Sequence, residues 1–205
     1  MDRDFRQMRK ENNMFQQYLA EYGEGLVGAI HQIDPMQFGQ AAGLLKQAYL
    51  EDKQVIVLGN GGSAGTANHF VCDFGKNAVK EPDMRRFRIL SICDNVEKIT
   101  ALGNDIAFSE IFREQLVNLM NEGDVLLAIS ASGNSPDVLR ACEYGRKHGA
   151  HVIALTGFDG GKLAGIAEVN MTAKLSSYEQ VEDIHMIVTH MIVNFFKGNP
   201  EYLRQ

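Results

Sequence analysis

The nine residues from Val55 to Ser63, reading Val-Ile-Val-Leu-Gly-Asn-Gly-Gly-Ser, restrict the fold more than any other stretch of the chain. An apolar run too short for a buried helix breaks at glycines, and residues 64–76 then read as a helix. That is a strand, a tight loop and a helix N-terminus, in which backbone N–H groups converge on one point and favour an anion, most often a phosphate. The pattern returns over 125–135 as Val-Leu-Leu-Ala-Ile-Ser-Ala-Ser-Gly-Asn-Ser, with Pro136 and Asp137 behind it. Two hydroxyl-rich turns of this kind point to a phosphorylated small molecule.

Further short apolar runs alternate with helical patterns. Strands are predicted near 54–58, 87–92, 124–129, 150–155 and 168–172, and helices near 63–77, 95–102, 109–120, 136–147 and 178–196. Such alternation implies a parallel sheet covered on both faces. Ligands of such sheets bind beyond the carboxyl ends of the strands, where both serine-bearing turns fall, so one pocket can use both. Before the sheet, Phe5, Met8, Phe15, Tyr18, Leu19 and Tyr22 recur near helical spacing over 4–22. Asp34-Pro35 then starts a second helix running to about Leu50. This helical pair, residues 1–52, has no βα partner; packing against another subunit is a use for it. The core is expected over 53–205, within the same domain.

A net charge of −6 argues against a general grip on nucleic acid. No window approaches a membrane span and the start has no signal-peptide core. Cys72, Cys93 and Cys142 are scattered and odd in number, which suits small core residues in a reducing cytoplasm.

Gly59, Gly61 and Ala64 satisfy the dinucleotide fingerprint, but the acidic residue ending the next strand, Asp94, lies well beyond the spacing of about 20 that fingerprint needs. A P-loop is excluded because no lysine follows the glycines. Ser130, Ser132 and Ser135 can donate several bonds to one phosphate; the alternative is an ordinary capped turn with Ser135 as N-cap. His69 and Asp73, four apart on one helix face, suit a divalent metal such as zinc or, equally, a surface ion pair. The last helix carries Glu182, Asp183, His185 and His190 beside an apolar stripe of Ile184, Ile187, Val188 and Met191. Its histidines are either functional or satisfied within the fold. Glu182 and His190 are eight positions apart, about 12 Å of helical rise, so both reach one metal only if Glu182 sits on an unwound first turn.

Taken together, these segments resemble the sugar isomerase (SIS) domain and, within it, the phosphoheptose isomerase family. The resemblance rests on the Gly-Asn-Gly-Gly-Ser turn, Asn68-His69-Phe70, Asp94 with 101–105, the stretch 122–135, the Thr-Gly-Phe-Asp-Gly-Gly-Lys run at 156–162 within 152–165, and the helix 184–190. It implies a three-layer α/β sandwich with a five-stranded parallel sheet and an N-terminal helical pair, assembled as a homotetramer with active sites at subunit interfaces. It implies interconversion of sedoheptulose 7-phosphate and a D-glycero-D-manno-heptose 7-phosphate, assisted by zinc, in the cytoplasm. Carried over by position, Asn60, Gly61, Gly62, Ser63, Asp73, Cys93, Asp94, Ser130, Ala131, Ser132, Ser135 and Glu182 border the substrate. His69, Asp73, Glu182 and His190 fall on the metal positions, and Asp73, His190 and Glu182 on the catalytic ones.

Such a reaction moves a proton between neighbouring carbons, with Asp73 as base, His190 as acid or shuttle and a metal as Lewis acid. Two positions depart from the family pattern: Asp73 replaces a glutamate and Glu182 a glutamine. The expectation is that Glu182 takes over part of a role Asp73 is too short to fill. Some similar proteins instead bind a partner protein, the bacterial replication initiator among them, without catalysis. The segment beginning Asp94-Asn-Val-Glu-Lys resembles theirs, while the presence of both His69 and His190 favours catalysis. A different phosphosugar is the remaining alternative.

Overall fold

The computed structural model describes residues 2–204; the side chains of residues 1–6, 8 and 9, Phe5 and Met8 among them, lie outside the described residues. Five strands, β1 (Gln54–Gly59), β2 (Arg88–Ser91), β3 (Val125–Ser130), β4 (His151–Gly157) and β5 (Val169–Ala173), form one sheet. Their order is β2-β1-β3-β4-β5 and every pairing is parallel. Strand order reverses between β1 and β3, whose carboxyl ends sit side by side with Gly59 opposite Ile129. An open parallel sheet of this order binds ligands at that switch point. Both serine-bearing turns leave the sheet there.

The apolar runs are strands because each is buried on both faces. All six residues of β3 are buried, and side chains alternate between two cores. Val55 and Val57 of β1 join one cluster, Ile56 and Leu58 the other. The first core is closed by α2 (Pro35–Leu50), α3 (Gly62–Asn77) and α8 (Tyr178–Gly198). The second is closed by α4 (Val96–Asp105), α5 (Ile111–Leu119) and α6 (Pro136–Lys147), with the single turn α7 (Leu163–Ile166). The three-layer sandwich implied by the resemblance is the architecture observed.

The N-terminal pair behaves in two ways. Asp34 caps α2, accepting from the Met36 amide at 2.8 Å, and Ala41, Ala42, Leu45 and Ala48 bury its inner face. The first helix, α1 (Asp2–His31), runs nine residues beyond its predicted end at 22, because no proline or cap interrupts it before Asp34. Phe15, Tyr18 and Leu19, expected on an apolar face, are all more than half exposed, as is Met14 beside them. The helix is tied to α8 at Tyr22, where the Tyr22 hydroxyl donates to Asp183 at 2.6 Å and Gln180 donates to the Tyr22 carbonyl at 3.0 Å. The bond to Asp183 pushes the Tyr22 phenol up to about 12.

Candidate active site

The β1–α3 turn works because Gly61 occupies φ 52°, a left-handed position that L side chains resist. Gly61 is itself the N-cap of α3 and supplies no side-chain bond, and Ser63 follows within the first turn. It lies one residue into the helix with its side chain buried. The second turn is similar: Ser135 is the N-cap of α6 yet makes no capping bond. Its hydroxyl lies 3.4 Å from that of Ser130. Ser132 accepts from the Asn134 amide at 3.2 Å, which leaves its own proton free to donate. Asn134 also ties this turn to the loop after β4, accepting from the Lys162 amide at 3.2 Å.

Between the two turns lies a cavity of about 140 Å³ lined by Asn60, Ser63, Ile129, Ser130, Ala131, Ser132, Ser135, Tyr178 and Glu182. Hydroxyls and the N-terminus of α6 converge here with no basic side chain in the lining and one acidic one, Glu182, so a phosphate in this cavity would be held by neutral donors. Two larger hollows are chemically less apt. One of about 330 Å³ between α1 and α8 is lined by Glu21 and Glu179 with Tyr18 and Tyr22. In another of about 560 Å³, Arg113 and Arg140 are already neutralised by Glu110 and Glu114.

Cys93 and Asp94 are absent from the cavity lining. Cys93 turns inward, its thiol 3.3 Å from the Gly59 carbonyl, and burial pushes that thiol upward, so it braces the β1 turn as a neutral donor. Asp94 is exposed at the mouth of the β2–α4 turn.

A second constellation lies further along the same helix pair. Gly62, His69 and Asp73 are separated by seven and four residues, so they share one face of α3, and that face looks onto α8. His69 Nε2 and His190 Nε2 are 2.9 Å apart. Asp73 Oδ2 is 3.3 Å from the first and 3.7 Å from the second, and Asn77 steadies its other oxygen at 3.4 Å. Two imidazole nitrogens and a carboxylate oxygen, all within 4.8 Å of one another, could hold a metal ion, and a donor set of this kind suits zinc. Both rings are close to half exposed, so the cluster faces out of the single chain.

Within the single chain Glu182 stands apart from that cluster, although the resemblance places it among the metal positions. Because α8 is helical from Tyr178 onward, with Ser177 as its cap, no unwound turn lets Glu182 fold back toward His190, and about 12 Å of helix separates them. Its carboxylate instead covers the first turn of α3. A Cβ on Gly62 would lie 2.5 Å from Oε1 and 2.6 Å from Cδ of Glu182. A carboxylate is favoured there by the free amides and the positive end of the helix dipole. Glu182 therefore cannot supply, within one chain, the reach that Asp73 lacks.

The remaining α8 histidine is structural. His185 is buried, its Nε2 donating to the Thr156 carbonyl at 2.9 Å and its Nδ1 without a partner; burial pushes it down to about 4.

Comparison with known proteins decides the family. A profile of the SIS domain matches residues 17–157, more than two thirds of the chain. A phosphoheptose isomerase of Shewanella loihica is 34% identical over 164 residues, covering 77% of this chain and 81% of its own. One from Helicobacter hepaticus is 32% identical over 159 residues, covering 78% and 80%. This chain belongs to the phosphoheptose isomerase family of SIS domain proteins. Among solved structures, the phosphoheptose isomerase of Neisseria gonorrhoeae superposes with a TM-score of 0.81 at 29% identity, covering 91% of this chain and 98% of its own. That of Francisella tularensis superposes at 0.82 and 26% identity, with 91% and 97% covered. The SIS match ends with β4, so α8, which bears Glu182 and His190, lies beyond it.

Ile129, Tyr178, Asp137 and Asn77 were not apparent as site residues in the sequence. Only the Thr-Gly-Phe-Asp-Gly-Gly-Lys run hinted that the β4 loop would brace the serine turn.

Proposed function

We propose that this protein interconverts sedoheptulose 7-phosphate and a D-glycero-D-manno-heptose 7-phosphate, with the phosphate in the serine-lined cavity and the reactive carbons at His69, Asp73 and His190. What supports this reading is that the serine-lined cavity and the cluster of His69, Asp73 and His190 both draw on one helix pair, α3 and α8. From Gly62, under the Glu182 that lines the cavity, to His69 the face of α3 advances about 10 Å, a separation suited to a long sugar chain extended from its phosphate rather than to a triose.

The chemistry follows from the residues. Hydroxyls of Ser63, Ser130, Ser132 and Ser135 and the first amides of α6 anchor the phosphate. Glu182, over Gly62, accepts hydrogen bonds from hydroxyls in the middle of the sugar. Asp73 removes the proton from the carbon beside the carbonyl and returns it one carbon away, while His190 moves the proton between the two oxygens. His69, Asp73 and His190 would hold zinc, whose contribution is Lewis-acid polarisation of the carbonyl oxygen. Asp73 cannot be a tight metal ligand and a free base at the same moment, so as the base it would have to stand clear of any bound metal.

The half-exposed cluster agrees with a homotetramer whose active sites are completed at subunit interfaces, and a cytoplasmic setting accords with the reduced cysteines. Among the described residues no helix is long and apolar enough to cross a membrane. The test is NMR-detected conversion of sedoheptulose 7-phosphate by the zinc-loaded protein, alongside Asp73→Glu and Glu182→Gln. Product formed by the parent, undiminished in Asp73→Glu and reduced in Glu182→Gln, supports the assignment. No product from the parent removes it, and full activity of Glu182→Gln removes the role given to Glu182.

A further inference from the structure

Asp137 is a carboxylate buried to 2% exposure in the first turn of α6, directly behind Asn60 of the cavity lining, and nothing in the proposed reaction uses it. A carboxylate withdrawn from water in this way is costly unless something holds it. Two features do. It occupies the second position of α6, after Pro136, where the field of the helix N-terminus favours negative charge. Its Oδ2 accepts a 2.7 Å hydrogen bond from Nδ2 of Asn60. That bond bridges the two turns that form the cavity, 77 residues apart in sequence.

The bond has a direction. An ionised carboxylate accepts and cannot donate, so it holds the NH₂ end of the Asn60 amide and leaves Oδ1 as the end free to meet whatever fills the cavity. The serines of that cavity are donors toward a phosphate, and Asn60 Oδ1 is an acceptor among them. An acceptor repels phosphate oxygens and bonds to a hydroxyl. We infer that Asp137 is a positioning residue that fixes the Asn60 amide with its carbonyl oxygen toward the cavity, so that the site recognises a hydroxyl of the sugar as well as its phosphate. The inference rests on the phosphosugar reading of the cavity. Without Asp137 the amide is free to turn its NH₂ group to the ligand and cooperate with the serines in holding bare phosphate.

Calorimetric titration of the zinc-loaded full chain with sedoheptulose 7-phosphate, shorter ketose phosphates and inorganic phosphate separates the two claims. In Asp137→Ala, affinity for the preferred sugar phosphate falls about tenfold, the loss of one well-made hydrogen bond, whereas inorganic phosphate binds within about twofold of the parent. Asp137→Asn keeps the shape and an acceptor oxygen, so it retains affinity to within about threefold. In an Asn60→Ala background Asp137→Ala costs nothing further, because the effect travels through Asn60. Equal weakening of sugar phosphate and inorganic phosphate, or no weakening of either, overturns the role of Asp137. If Asp137→Ala does not fold, Asp137→Asn and Asn60→Ala decide. Selective loss of sugar phosphate in Asn60→Ala, with binding largely kept in Asp137→Asn, supports the inference; any other pattern overturns it. A parent protein that binds no sugar phosphate more tightly than inorganic phosphate refutes the functional reading itself.

Discussion

Replacing Gly62 with alanine should separate stability from activity at the head of α3. The new Cβ would lie 2.5 Å from Oε1 and 2.6 Å from Cδ of Glu182, whereas carbon atoms in comfortable contact are about 3.5–4.0 Å apart. The carboxylate must retreat by about 1 Å. It is the far end of a flexible side chain, so the retreat costs on the order of 0.5–1.5 kcal/mol in rotamer strain. Replacing a helical glycine by alanine returns about 0.5–1 kcal/mol. The two nearly cancel, and Tm should stay within about 4 °C of the parent. Activity should not be spared, since a misplacement of about 1 Å near a reacting substrate can cost roughly a hundredfold. The assay is turnover of sedoheptulose 7-phosphate with a parallel thermal melt. Once Glu182 is already alanine, Gly62→Ala should have little further effect. Unchanged turnover in Gly62→Ala would refute the placement of Glu182 as functional. A Tm loss above about 10 °C would show that the backbone, not the carboxylate, yields.

Three further outcomes are expected. His185 has a folded pKa pushed from 6.5 down to about 4, so between those values the unfolded chain binds a proton that the folded chain refuses. Stability is therefore full above about pH 6.5 and falls as pH drops toward 4, by up to roughly 3 kcal/mol from this group; urea melts across that range should be flatter for His185→Gln, and parallel curves contradict the account. Ser135→Ala should weaken phosphate binding about tenfold or more while leaving Tm nearly untouched, because Ser135 makes no capping bond; Asp34→Ala, which removes the cap of α2, should do the reverse, costing about 1 kcal/mol with no change in phosphate affinity. His69→Ala should lower zinc affinity at least tenfold in a chelator competition, and unaltered affinity would mean the metal sits elsewhere.

The sheet was readable because parallel strands covered on both faces are uniform apolar runs, and 125–130 has no polar residue until Ser130 ends it. Asp34-Pro35 marked the start of α2 through a cap and a ring that both act locally. The full extent of α1 was hidden because its Phe15, Tyr18 and Leu19 mimic a buried stripe, although each is more than half exposed. Helix α7 spans four residues, too few to show a period. Within the site, His69, Asp73 and His190 were found from spacing and resemblance, but spacing along one helix cannot tell which neighbouring element a side chain meets. Glu182 was grouped with the metal by resemblance, against its spacing from His190 along α8, and within the single chain it lies over Gly62. Asp137 went unnoticed because its partner, Asn60, is remote in sequence, and a buried carboxylate reads there as an ordinary residue of a helix's first turn.

The central claim is that Asp73 and His190 carry a proton between adjacent carbons of a phosphosugar. Its most direct test is deuterium wash-in, following sedoheptulose 7-phosphate by NMR in D₂O with the zinc-loaded protein. The account predicts deuterium at the carbon beside the carbonyl, accumulating with the parent and lost in Asp73→Asn. Exchange that continues undiminished in Asp73→Asn, or no exchange by the parent with any ketose phosphate, would contradict it.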